Sequence, residues 1–317
     1  MIVERRAEMK VSILTGIVKR SVDFPGLRDM SEVVTILHDC GYDTLDIGFT
    51  EQTFPDFILR GDDWQQKIDD LANTAAKLGV TFAQSHLPYV KKASMDLDPN
   101  WGKPGFPEYF EECMRRAYVA SAMLGVPYGT THPLTYLDAV GSPELALERN
   151  RAYYEPFVEF GIKHNVGTAF ENMRPESPQW PFPSRYCQNY DQLIELVDSF
   201  GDPMVGICWD SGHANQAGHD QGRAIRAMGG RLKNLHLNDN HYNCRDEHLL
   251  PYMGTVDWES VMSALVDIDY KGVLNYEVGK LCDNAPTALQ IEWVKTARSN
   301  AGRILELYQR LYAQKHA

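Results

Sequence analysis

The sequence predicts a single-domain (β/α)8 barrel. Three observations carry that reading: a length of 317 residues, an alternation of eight short apolar strands with longer helical patterns, and no glycine-rich nucleotide motif. Alternating strand and helix units build parallel sheets, and eight of them in a chain of this size close into a barrel. A doubly wound open sheet would be favoured by a GxGxxG or phosphate-loop signature, which the chain lacks.

In chain order, strands are expected at residues 11–17, 44–49, 81–86, 128–132, 167–171, 205–210, 232–237 and 272–277. Helices are expected at 32–38, 64–78, 107–124, 143–164, 190–200, 220–228, 258–268 and from 286 to about 312. Gly41, Gly79, Gly125 and Gly201 stand where helices should stop. No linker or low-complexity tract divides the chain, so residues 1–317 read as one domain, with 1–10 as an N-terminal extension. Two long stretches rich in proline and aromatics, 87–106 and 173–188, fall where a barrel builds its active face.

Composition narrows the function. With 44% hydrophobic and 23% charged residues the chain has ample material for a soluble core. A net charge of −12 disfavours nucleic acid or an anionic membrane as the main partner. The charged start MIVERRAEMK is no signal peptide, and no segment is apolar over the roughly 20 residues a membrane helix needs. Six cysteines without a CxxC pair read as reduced thiols, and a cytoplasmic location is expected.

Chemistry concentrates at the strand ends. Strands 5, 6, 7 and 8 run GTAFE, VGICWD, LKNLHL and GVLNYE, ending on or near Glu171, Asp210, His236 and Glu277. Side chains alternate across a strand, so parity tests direction. Gly206, Cys208 and Asp210 share one face, and Val205, Ile207 and Trp209 share the other. Gly167, Ala169 and Glu171, then Asn234 and His236, then Asn275 and Glu277 repeat the small-or-polar interior. Three carboxylates aimed at one mouth repel unless a cation neutralises them. Three oxygen ligands and one nitrogen suit one divalent ion, with Mn²⁺ favoured and Zn²⁺, Mg²⁺ or Co²⁺ compatible.

Further polar groups surround this tetrad. His86 ends strand 3 in QSHLP, His132 ends strand 4 in TTHPL, and His213 follows Asp210 in WDSGH. Asp246 and His248 lie in RDEHLLPYMGTVDW after strand 7. Each reads as a further ligand, a substrate-binding group or a bystander. His38, His164, His219, His241 and His316 fall on helices, loops or the tail and read as structural or solvated.

Four segments make the pattern resemble a family: FEN at 170–172, WDSGH at 209–213, LHLND at 235–239 and HLLPYMGTVDW at 248–258. From about Val11 to Tyr312 the chain resembles the xylose-isomerase-like barrel superfamily of sugar isomerases and epimerases, inosose-processing enzymes and apurinic endonucleases. That resemblance implies metal ligation by Glu171, Asp210, His236 and Glu277, in agreement with the parity argument. In the sugar branch it implies proton transfer beside a carbonyl through a cis-enediolate, with Glu171 and Glu277 as the acid/base pair. His213, His132, His86, His248 and Asp246 then contact a small sugar or polyol substrate, and Trp180, Trp101, Tyr89 and Phe182 wall it.

The endonuclease branch implies three zinc ions on His86, His132, Glu171, Asp210, His213, His236, Asp246, His248 and Glu277. Every one of those positions carries a ligand type. The first strand, VSILTGIV, nevertheless lacks that branch's opening histidine motif, and ENMRPES replaces its small-residue run. Arg245 stands near the place where keto-sugar 3-epimerases hold a substrate-gripping arginine, but HYNCRDEH aligns poorly with their motif. No phosphate loop is evident, which favours an unphosphorylated substrate. A lyase or dehydratase acting on a keto-glycoside or inosose would use the same metal and base, in some relatives with a small partner subunit. A non-catalytic sugar-binding protein would be expected to have lost a carboxylate, and none is lost. A homo-oligomer is compatible with the sequence.

Overall fold

Alternate side chains of a barrel strand face the helices and the axis, and near the ends of the last four strands the helix side is apolar and the axis side small or polar. The structure is a computed structural model, described for residues 9–91, 94–176, 184–242, 245–282 and 285–317. The strands are β1 Val11–Leu14, β2 Thr44–Gly48, β3 Thr81–His86, β4 Tyr128–Thr131, β5 Gly167–Glu171, β6 Val205–Asp210, β7 Leu232–His236 and β8 Leu274–Tyr276. They form one parallel sheet in chain order, and β1 also pairs with β8. Two hydrogen bonds close the seam between β7 and β8: Leu237 N–H to Asn275 O at 2.7 Å and Glu277 N–H to Leu237 O at 3.2 Å.

The helices are α1 Met30–Asp39, α2 Trp64–Leu78, α3 Phe106–Met123, α4 Pro143–Lys163, α5 Tyr190–Ser199, α6 Ser211–Gln216, α7 Gln221–Met228, α8 Trp258–Asp267 and α9 Thr287–Lys315. Asp29 caps α1 by accepting from the Ser31 and Glu32 amides, and Gly79 ends α2 at φ 70°. Ile207, Trp209, Leu235 and Tyr276 are buried between sheet and helices. The opposite face of the same strands carries Cys208, Asp210, Asn234, His236 and Asn275, also fully enclosed. The alternation expected from the sequence therefore sorts core from site.

Two expected strands are shorter than predicted by more than one residue. The first strand stops at Leu14 and a 3-10 turn, Thr15–Val18, takes over, because the Thr15 hydroxyl accepts from the Gly48 amide at 2.9 Å in place of a backbone rung. The last strand ends at Tyr276, which leaves Glu277 at its exit. One element was not anticipated: α6, which begins directly after Asp210 and carries His213. The five described cysteines are buried, and no described helix is long and apolar enough to cross a membrane.

Candidate active site

The C-terminal strand ends bring the predicted tetrad together. Ligand atoms of Glu171, Asp210, His236 and Glu277 all lie within 4.8 Å of one another. His236 Nδ1 stands 3.2 Å from Glu171 Oε2 and 3.1 Å from Glu277 Oε2. Glu171 Oε2 and His236 Nδ1 are both buried, yet neither completes a hydrogen bond among the described residues. Buried polar atoms without partners are costly, and two like charges about 4 Å apart repel by roughly 4 kcal/mol even at an effective dielectric constant near 20. A divalent cation coordinated by three oxygens and one imidazole nitrogen would satisfy these atoms and neutralise the carboxylates. The donor set fits such an ion.

The family-like motifs are the scaffold of this mouth. Asp210 caps α6: its Oδ1 accepts from the His213 amide at 2.6 Å, and its Oδ2 accepts from Asn238 Nδ2 at 2.8 Å. Ser211 donates its hydroxyl to Asn238 O at 2.7 Å and accepts the Asn238 amide at 3.0 Å, which binds α6 to the exit of β7. Only glycine fits at 212, where a Cβ would come within 1.8 Å of Asn238 Oδ1. Asp239 then ties down the long loop after β7. It accepts from the Tyr252 and Val256 amides, each at 3.0 Å, and from Trp258 Nε1 at 2.9 Å.

The surrounding histidines converge as well. His132 Nε2 is 3.2 Å and His86 Nε2 3.7 Å from Glu171 Oε2, while His213 Nδ1 is 3.3 Å from Glu171 Oε1. Asp246 Oδ1 lies 3.0 Å from His248 Nε2 and 3.5 Å from His213 Nε2. His86, His132 and Glu171 form one further ligand-like group, and His213, Asp246 and His248 another. All of these side chains except Asp210 and His236 line one open cavity of about 190 Å³ with Glu277. Tyr89 walls it, its ring 4.2 Å from that of His132. Trp101 packs away from it, on Phe106 and Phe110. Trp180 and Phe182 lie outside the described residues.

The electrostatics follow from burial and mutual contact. Burial pushes the Glu171 carboxyl up, but His236 and His132 pull it well below the usual range. Burial likewise opposes ionisation of Glu277, yet His236 beside it holds its pKa down at about 2. Asp210, where burial dominates over His213, is pushed up to about 6. His86 is lowered to about 4 by burial and by neighbouring His132. His248 goes the other way, to about 9, because Asp246 outweighs burial.

Three groups escaped the sequence reading. Lys19 lies on the cavity wall, its Nζ 2.8 Å from Glu51 Oε1 and 3.1 Å from Thr50 Oγ1. Lys280 reaches Asp246 Oδ2 at 2.6 Å. Asp46, in the middle of β2, is completely buried and its Oδ2 lies 3.4 Å from His236 Nε2. The signal for Asp46 was present: it shares interior parity with Thr44 and Gly48, but attention to strand ends passes over a mid-strand carboxylate.

The chain spans about half the length of the first curated relatives it matches. D-psicose 3-epimerase of Enterocloster bolteae is 34% identical over 82 residues, 26% of this chain and 25% of that protein. The structure of an L-ribulose 3-epimerase superposes with a TM-score of 0.72 at 18% identity, covering 98% of each chain. An IolI protein with a bound zinc atom superposes at 0.69 and 17% identity, covering 95% of this chain and 99% of that one. At such identities the structural likeness speaks for the fold. The model of the xylose isomerase-like TIM barrel matches residues 34–297, most of the chain, and the chain belongs to that family.

Proposed function

We propose that this chain is a divalent-metal-dependent isomerase or epimerase of a keto-sugar, inosose or related polyol. The observation that carries the reading is the pair Glu171 and Glu277, both within 3.2 Å of His236 Nδ1 and both open to the same cavity. A metal held by Glu171, Asp210, His236 and Glu277 would supply Lewis-acid polarisation of a substrate carbonyl. One of Glu171 and Glu277 takes a proton from one face of the adjacent carbon, and the other delivers a proton to the opposite face. His132, His213 and His248 donate hydrogen bonds to substrate oxygens, and Tyr89 excludes water from one side. His86, whose Nδ1 hydrogen goes to the Leu87 carbonyl, accepts from a substrate hydroxyl at Nε2. Trp180 is proposed as a further wall. The sugar 3-epimerases among the relatives support this reaction class.

The test is a solvent-exchange screen with metal-loaded protein against keto-sugars, inososes and keto-glycosides in deuterium oxide, read by mass. Incorporation of one deuterium is expected for at least one class. No incorporation in any class would sink the proposal. A lyase or dehydratase would share the exchange step and be distinguished by loss of a leaving group in the same spectra.

Two of the further ligand-like groups, His86 with His132 and Glu171 and His213 with Asp246 and His248, favour a second reading, a three-zinc phosphodiesterase. Against it, Asp246 already faces a cation, the Lys280 ammonium at 2.6 Å, with Arg174 Nε 3.7 Å from the same oxygen. Metal analysis separates the two: one ion per chain supports the sugar reading, three zinc ions the phosphodiesterase.

A further inference from the structure

Asp46 presents a physical problem whose solution assigns it a role. It sits in the middle of β2 with no exposure to solvent, where an apolar side chain would be cheaper by far. No lysine or arginine answers it: among the described residues, His236 is the basic side chain within ion-pair distance. Its Oδ2 accepts from Gln84 Nε2 at 2.8 Å and from Asn275 Nδ2 at 2.9 Å. Two amides, from β3 and β8, thus fix that oxygen beneath His236, while Oδ1 has no hydrogen-bond partner among the described residues. The arrangement uses three interior polar side chains to hold one carboxylate oxygen at one point.

That point lies 3.4 Å from His236 Nε2, which completes no hydrogen bond among the described residues, on the opposite edge of the ring from Glu171 and Glu277. A ring nitrogen turned toward a carboxylate oxygen is repelled if it presents its lone pair and attracted if it carries hydrogen. In a neutral imidazole one nitrogen carries hydrogen and the other a lone pair. The His86 ring stacks on His236 with centroids 5.4 Å apart and planes at 19°, which restrains the ring plane. We infer that Asp46 is the positioning residue of the site: it keeps the His236 proton on Nε2 so that the Nδ1 lone pair faces Glu171 and Glu277. Carboxylates that orient a ligating histidine in this way raise its basicity and are worth about 10–100-fold in metal affinity.

This inference rests on His236 being a metal ligand, as proposed above, and the experiment separates the two claims. Zn²⁺ affinity is measured by chelator competition for the wild type, Asp46→Asn, Asp46→Ala and His236→Ala. Asp46→Asn keeps an oxygen for Gln84 and Asn275 and removes only the charge, so weakening of about tenfold is expected; Asp46→Ala should reach about 100-fold. Imidazole ¹⁵N spectra of the Zn²⁺-loaded wild type should show His236 with hydrogen on Nε2, a readout that needs no variant to fold. Unchanged affinity in both Asp46 variants, or hydrogen on Nδ1, overturns the role of Asp46 while leaving the site intact. Unchanged affinity in His236→Ala overturns the metal site and the positioning role together.

Discussion

Asn172 fastens the end of β5 to Asp210 at the end of β6: its Oδ1 accepts the Asp210 amide at 2.6 Å and its Nδ2 donates to the Asp210 carbonyl at 2.9 Å. Its own carbonyl lies 2.9 Å from His213 Nδ1. One side chain thereby sets the spacing of two tetrad members, since Glu171 is its neighbour in sequence. Asn172→Ala leaves the buried Asp210 amide and carbonyl without their cross-strand partner, a cost of about 1–3 kcal/mol per group. A melting temperature lowered by several degrees and a weaker metal titration are expected. Unaltered metal affinity would show that this link does not position the site.

Glu171→Gln and Glu277→Gln preserve shape and remove the groups proposed to move the proton. Each should reduce solvent deuterium incorporation by about 10²-fold or more, the usual contribution of a positioned acid or base. Exchange that persists in one variant removes that residue from the acid/base role.

Metal removal should destabilise the fold. Ligand at about 100 times its dissociation constant stabilises a protein by about 2.7 kcal/mol. Chelation is expected to lower the wild-type melting temperature, and added Mn²⁺ or Zn²⁺ to restore it. Asp210→Ala should melt at the same temperature with and without the ion; a full metal-dependent shift in that variant would contradict ligation by Asp210.

Metal affinity should rise with pH. Burial disfavours charge on His236, but the acidic groups around it, Glu277 and Glu171 among them, hold its pKa well above the ordinary value. The metal-free site therefore carries a proton that a coordinating imidazole must give up, so binding releases it and acid competes. Affinity should increase by about tenfold per pH unit near neutrality, with proton release seen as a buffer-dependent heat in titration calorimetry. A binding heat independent of the buffer would contradict this.

Gly212→Ala should damage the mouth more than its size implies. The added Cβ would meet Asn238 Oδ1 at 1.8 Å, and the same Asn238 side chain donates to Asp210. Overpacking of this kind costs about 1–3 kcal/mol, and here the relief must move a residue that holds Asp210. Loss of stability together with weaker metal binding is expected. Loss of stability alone would mean that the loop yields without disturbing the site.

Much of this was legible in the residues. Parity alone placed Glu171, Asp210, His236 and Glu277 on one interior, because a strand has period two and small partners such as Gly206 and Ala169 mark the axis. What escaped was set by tertiary contact. Lys19 reaches the mouth only because the Thr15 hydroxyl replaces a rung and the chain turns at Leu14. Lys280 meets Asp246 across 34 positions of sequence, a distance no local pattern encodes. Trp258, in the segment GTVDW that resembles a family signature, is buried to hold Asp239 and has no place in the cavity.

The knot at Asp239 concentrates the anchoring of a whole loop on one residue. The loop after β7 leaves the barrel at Asp239 and is pinned back to the same residue by Leu249, Tyr252, Val256 and Trp258. The stretch between these pins is thus a cassette with fixed sockets. Asp246 and His248, which stand at the cavity, lie between Asp239 and the first of these pins, Leu249, so one residue, Asp239, anchors the loop that carries both of them.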